Sequence, residues 1–259
     1  MNLLDMSDQD LTALLASWGH KAFRAKQVIG WVRNQGATSF EGMENVPKAL
    51  RSQLTEHFAI GSLSVAAEQT SKDGTVKRAY KLGDGQLIEA VLMPYADGRR
   101  TACISSQAGC GMGCAFCATG QMGFARHLTA GEIFEQAACF ARELKARGER
   151  LSNVVLMGMG EPLANYASVL AACRRINDEL GVGARRITVS TVGLAPRIRQ
   201  LAEEPRQFTL AVSLHESDDA VGGRAGTILG RTPATRTQQP RRRYHYAALR
   251  ALSCSLCLF

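Results

Sequence analysis

No stretch of this 259-residue sequence approaches the run of roughly 18 apolar residues that a membrane-spanning helix needs. The opening residues, MNLLDMSDQDL, carry neither a basic start nor an apolar core, so no secretory signal is visible. These absences lead us to expect a soluble, intracellular protein with no membrane partner, cytoplasmic by default and with an organellar location not excluded. A disulfide framework is also excluded, because reducing compartments keep thiols free. Clustered members of the eight cysteines therefore point to metal binding or catalysis. At 46% hydrophobic and 21% charged residues, the composition lacks the bias of a disordered chain, and the length suffices for a buried core. The net charge of +8 permits a nucleic-acid partner without demonstrating one. It is unevenly spread: residues 216–259 hold seven arginines against three acids.

Along the chain, residues 8–58 read as a small helical unit. Leu11, Leu14, Leu15 and Trp18 recur at helical spacing until Gly19. A second amphipathic stretch runs from Phe23 to Val32, and Pro47 marks the start of a third, through Leu50, Leu54 and Phe58. Both tryptophans are read as core residues. From 61 to 94, Asp73-Gly74 and Asp84-Gly85 separate short strand-like runs, which predicts hairpins. The last run, Leu87 to Met93, is apolar except for Glu89.

From residue 101 strands and helices alternate. TACISS precedes a cysteine loop; a helix follows over 130–147, with Thr129 and Glu132 as its capping box. NVVLMGMG, a helix over 169–180, ITVSTVG, a short helix near 197–202, and FTLAVSLH complete the pattern. Such alternation predicts an α/β fold of parallel βα units, with chemistry at the C-terminal ends of the strands. The cysteine loop, Gly160-Glu161, Ser190 and His215 all fall at those ends.

Three thiolates, Cys110, Cys114 and Cys117, can bind three irons of a [4Fe–4S] cluster and leave the fourth open. Pairing Cys114 and Cys117 with Cys254 and Cys257 in a zinc site is the competing reading. Against it, 136 residues separate the two pairs and Cys110 is left over. The spacing CGMGCAFC, with an aromatic just before its last cysteine, resembles the radical S-adenosylmethionine (SAM) superfamily. In that superfamily the open iron chelates the methionine end of SAM, and electron transfer releases a 5′-deoxyadenosyl radical.

The runs TACISSQAGCGMGCAFCATGQMGF, NVVLMGMGEPLANY, ITVSTVG and LAVSLH narrow the match. They resemble the radical SAM family of adenine-C2 methyltransferases acting on 23S rRNA and, in many members, tRNA. FRAKQVIGWV and ATSFEGMENVPKALR resemble that family's helical RNA-handling domain. The C8-methylating relatives share these motifs. The resemblance implies a helical RNA-handling domain (1–60) and a β-hairpin segment (61–95). Behind them it implies a partial (β/α) barrel of about four βα units (96–215). It implies SAM and a [4Fe–4S] cluster as cofactors, an RNA partner, and an electron donor of flavodoxin or ferredoxin type.

It also implies roles. Gly160, Glu161, Ser190, Ser213, Leu214 and His215 match SAM-binding positions. Glu89 matches the carboxylate that removes the C2 proton, and its isolation within an apolar strand suggests a perturbed group. Cys103 matches the resolving cysteine, which releases product as a disulfide forms with a methyl-carrying cysteine. Cys139 and Cys173 are read as packing residues.

No position matches that methyl-carrying cysteine; Cys254 and Cys257 lie too early. A late asparagine that contacts SAM in the family also has no match. Periodicity is lost after residue 216, so residues 216–259 are expected to be an aberrant, disordered tail with one short helix over 244–258. A frame shift, an unspliced segment or a faulty gene model is the expected origin.

Overall fold

A helical unit packs beside a seven-stranded sheet in the computed structural model, which describes residues 1–114 and 116–213. Leu214, His215 and the whole of 216–259 lie outside the described residues.

Three helices make the first unit: α1 (Asp8–Ser17), α2 (Phe23–Asn34) and α3 (Lys48–His57). They form where the apolar spacing predicts. Ser7 caps α1 by accepting the Asp10 amide, and Pro47 precedes α3. Leu11, Leu15, Val28, Leu50 and Leu54 close a core of their own, against which both tryptophans pack.

The hairpins also form. Strands β1 (Ser64–Thr70), β2 (Val76–Lys81) and β3 (Leu87–Pro94) are joined at the two Asp-Gly turns, where each aspartate accepts the amide two residues on. Asp97-Gly98 repeats the device before β4 (Arg100–Cys103). Then β5 (Gln107–Gly109) and β6 (Phe124–His127) form a separate two-stranded ribbon around the short helix α4 (Ala118–Gln121). After them come α5 (Ala130–Ala146), β7 (Asn153–Leu156), α6 (Tyr166–Glu179), β8 (Ile187–Thr191), α7 (Ala195–Ala202) and β9 (Thr209–Val212). The Thr129–Glu132 capping box forms in both directions. Helix α6 starts three residues earlier than expected, because a 3-10 turn at Pro162–Asn165 feeds directly into it.

The sheet order is β1-β2-β3-β4-β7-β8-β9, antiparallel from β1 to β4 and parallel from β4 onward. The hairpin strands thus extend the sheet that carries the parallel units. Its register separates two faces. One carries Tyr80, Ile88, Ala90, Ala102, Val154, Leu156, Ile187 and Val189, all buried with α5 and α6 in the main core. The opposite face carries Glu89, Val91, Cys103, Val155 and Ser190.

The helical unit is tied to α5 and α6 by directed bonds. Asp5 accepts the Gly131 amide at 2.9 Å, and Arg175 donates to the Leu4 carbonyl at 2.6 Å. The buried Glu135 carboxylate accepts the amides of Ser62 and Leu63. No helix among the described residues is long and apolar enough to cross a membrane.

Candidate active site

From the end of β4 the chain runs buried through Ile104–Gln107, and buried backbone groups need partners. Main-chain atoms of β7 and the turn after it take the Ile104, Ser106 and Gln107 amides. Gln136, wholly buried in α5, accepts the Ser105 amide and donates to the Ser105 carbonyl. Asn165 donates to the carbonyls of Ser106 and Leu128. The Ser105 hydroxyl donates to the Glu89 carbonyl and accepts the Met159 amide. Sequence reasoning missed Ser105, Gln107, Gln136 and Asn165. Two signals were available: a polar SSQ tract, and a glutamine on an apolar helix face, where burial of an unmatched amide is costly.

On this base stands the cysteine loop. Residues 110–123 are the loop of the β5–β6 hairpin, closed where the Cys110 amide donates to the Gly123 carbonyl at 2.8 Å. Gly109 has φ +73°, and a Cβ there would lie 2.0 Å from that same carbonyl oxygen. Cys114 is buried; Cys110 and Cys117 are half-buried. Burial pushes the Cys110 and Cys114 thiols up, and the neighbouring thiols add to the effect. Ionising thiols held this close together requires a positive partner. Among the described residues no three His, Cys, Asp or Glu side chains converge at single-ion spacing. Cys110 and Cys114 each sense other thiols of the loop, a three-thiolate donor set of the chemical kind that iron–sulfur clusters use.

The MGMGEP turn after β7 lies against the base of this hairpin. The Gly158 amide donates to Ile104, and the Met159 carbonyl accepts from Ser106 and Gln107. Gly158 has no room for a Cβ, which would meet the Ile104 main chain at 2.8 Å. Glu161 is 3% exposed, and its carboxylate is already engaged. It accepts the Leu163 amide at 3.0 Å and the Val192 amide at 2.9 Å, fastening the end of β7 to the end of β8. Burial pushes this carboxyl up despite those bonds. The side chain therefore shapes the turn.

Glu89, Cys103 and Ser190 share the face away from the helices. Cys103 is buried and sits opposite Val91, one diagonal from Glu89. Glu89 is not isolated, which corrects the reading of its strand. Lys77, on the same face of β2, pairs with it at 2.8 Å, and about a third of the Glu89 side chain stays exposed. A single strand cannot reveal the charge that a neighbouring strand brings alongside. Ser190 is half-buried on β8; Ser213 follows β9 and donates its amide to the Thr191 carbonyl. None of the six cysteines among the described residues is joined in a disulfide.

Cys139 and Cys173 sit on α5 and α6 and pack with the core. Burial pushes the Cys173 thiol up to about 12. Cys173 is therefore expected to resist N-ethylmaleimide at pH 8 until the chain unfolds, as peptide mapping with and without urea would measure.

Two family models match the sequence. The ribosomal RNA large subunit methyltransferase N-terminal domain covers residues 1–60, and the radical SAM superfamily covers 104–248, past His215. The dual-specificity RNA methyltransferase RlmN 1 of Myxococcus xanthus is 49% identical over 222 residues, 85% of this chain and 62% of that protein. A probable dual-specificity RNA methyltransferase RlmN of Rhodopirellula baltica is 46% identical over 255 residues, 97% of this chain and 68% of that protein. The chain thus spans roughly two thirds of the length of these relatives. The crystal structure of a radical SAM methyltransferase from Sphaerobacter thermophilus matches with a TM-score of 0.85 at 42% identity, over 91% of this chain and 70% of that one.

Proposed function

This chain belongs to the RlmN family of radical SAM methyltransferases, and on that premise we propose that its site serves radical methylation of adenine C2 in 23S rRNA and tRNA. One observation carries the reading. The cysteine hairpin and the MGMGEP turn are hydrogen-bonded into one unit at the end of a sheet whose face away from the helices holds Glu89, Cys103 and Ser190. In this reading Cys110, Cys114 and Cys117 hold three irons of a [4Fe–4S] cluster. Bound there, the cluster supplies the electron that cleaves SAM to methionine and a 5′-deoxyadenosyl radical, fed by a flavodoxin- or ferredoxin-type donor.

The chain's own residues then have separate tasks. Gly160 and Glu161, with Ser190, Ser213, Leu214 and His215, bind and orient SAM. Glu89 accepts the C2 proton at a carboxylate oxygen. Lys77, 2.8 Å away, holds that carboxylate in place on the sheet. Cys103, held on β4, is the thiol that resolves the covalent intermediate. The helical unit, bonded to α5 and α6, handles the RNA, and we place the protein in the cytoplasm.

In this reading no residue of the 259 serves as the family's methyl-carrying cysteine. The purified chain, anaerobically reconstituted with iron and sulfide and reduced, is therefore expected to convert SAM to 5′-deoxyadenosine without forming 2-methyladenosine in rRNA. Chromatography with mass spectrometry reads both products. Detection of 2-methyladenosine would show that the thiol is present after all. An 8-methyl product would move the chain to the C8 relatives, and RNA binding without SAM cleavage would make it a non-catalytic remnant. Uptake of one zinc with no sulfide would overturn the cluster itself.

A further inference from the structure

We propose that Gln107 is a positioning residue that sets the SAM-facing turn at Gly160–Glu161 in register with the cysteine hairpin. The inference rests on the functional reading above. Gln107 opens β5, three residues before Cys110, and is 1% exposed. Its carboxamide joins two elements far apart in sequence. The side-chain oxygen accepts the Glu161 amide at 2.9 Å, and the side-chain nitrogen lies 3.0 Å from Nδ1 of His127 on β6.

The direction of this relay follows from its ends. A backbone N–H can only donate, so Oε1 faces Glu161 and Nε2 donates to His127. Nδ1 of His127 is then the acceptor, and its ring carries the proton on Nε2. Two further contacts seat the turn on the same residue. The Gln107 amide donates to the Met159 carbonyl at 3.2 Å. Gly160, at φ +100°, packs so closely that a Cβ there would lie 2.5 Å from the Gln107 Cβ.

In that reading the hairpin carries the cluster thiols and the turn carries the SAM-binding Gly160 and Glu161. Binding groups must be held to about half an ångström of their productive geometry, so the two elements have to be registered to each other. Glu161 secures the far side of the turn through Val192; Gln107 secures the near side. A leucine at 107 would fill similar space and make neither side-chain bond.

The test uses the full chain with Gln107→Leu and Gln107→Glu. In cluster-free protein, Gln107→Leu is expected to speed hydrogen exchange at the Glu161 amide about tenfold, the effect of one lost buried hydrogen bond. Amides of α6 should keep their wild-type rates. Gln107→Glu keeps an oxygen facing Glu161 and should stay within about threefold of wild type. After reconstitution, Gln107→Leu should hold as much iron as wild type. It should bind SAM about tenfold more weakly and lose most of the SAM-induced change in the reduced cluster's electron paramagnetic resonance spectrum. Unchanged Glu161 exchange and SAM affinity in Gln107→Leu would overturn the proposal, as would a uniform rise in exchange along the whole chain. Should Gln107→Leu not fold, His127→Phe leaves Gln107 with one anchor and is expected to speed Glu161 exchange about threefold; no change there would also overturn it. Wild-type protein that takes up the cluster yet binds no SAM would sink the functional reading, while the exchange arm still decides Gln107.

Discussion

Gly109→Ala is expected to leave the chain unable to retain a [4Fe–4S] cluster and to destabilise it by about 3 kcal/mol. Two costs combine. At φ +73° a side chain adds roughly 1–2 kcal/mol of backbone strain. The new methyl would also sit 2.0 Å from the Gly123 carbonyl, the acceptor of the Cys110 amide. That carbonyl belongs to the backbone and cannot swing aside as a flexible side chain would. Moving it breaks the bond that closes the cysteine loop, for about 1 kcal/mol more. Gly113 is the internal comparison: its φ is +65°, but open space surrounds the position. Gly113→Ala should therefore suffer the strain alone, about 1 kcal/mol, and still take up iron. Urea unfolding of the cluster-free chain and iron–sulfide analysis after reconstitution measure both effects. Equal behaviour of the two variants would show that closure at Gly123 does not govern the loop.

Cys114→Ala is expected to remove all 5′-deoxyadenosine formation and the visible absorbance of the reconstituted chain. Cys114 is the buried thiol of the three, and it senses both Cys110 and Cys117. With two thiolates remaining, two irons of a cubane lack protein ligands, and nothing fixes which iron is left open for SAM. Cys173→Ala is the control, because that thiol lies in the core between helix and sheet and touches no part of the loop. It should keep wild-type iron and sulfide content. Full cluster loading in Cys114→Ala would remove this cysteine from the proposed ligand set.

Local signals carried most of the element pattern. Helical spacing marked α1 to α3, Asp-Gly pairs marked the hairpins, and the Thr129–Glu132 pair marked the start of α5. Each rests on contacts within a few residues, so a one-dimensional reading can find it. The β5–β6 ribbon escaped that reading because its strands have three and four residues and are held by pairing across the loop. The early start of α6 escaped it too, since the preceding turn is stabilised by Glu161 bonding to Val192 and Asn165 bonding to Ser106 and Leu128, all far away in sequence.

The same division runs through the site. The sequence by itself determined the chemistry on offer: three cysteines at a spacing suited to a cubane, a glycine-rich turn after a strand, and an acid in an apolar run. Spacing suffices there because ligands on one short loop must converge whatever surrounds them. Only the tertiary structure decided how those groups are held. It placed Lys77 beside Glu89, committed the Glu161 carboxylate to Leu163 and Val192, and set Gln107 between the cysteine hairpin and the turn. These depend on strand register and on contacts between residues up to about fifty positions apart. No local pattern encodes them, because a buried polar group takes whichever partner the packed fold brings within reach.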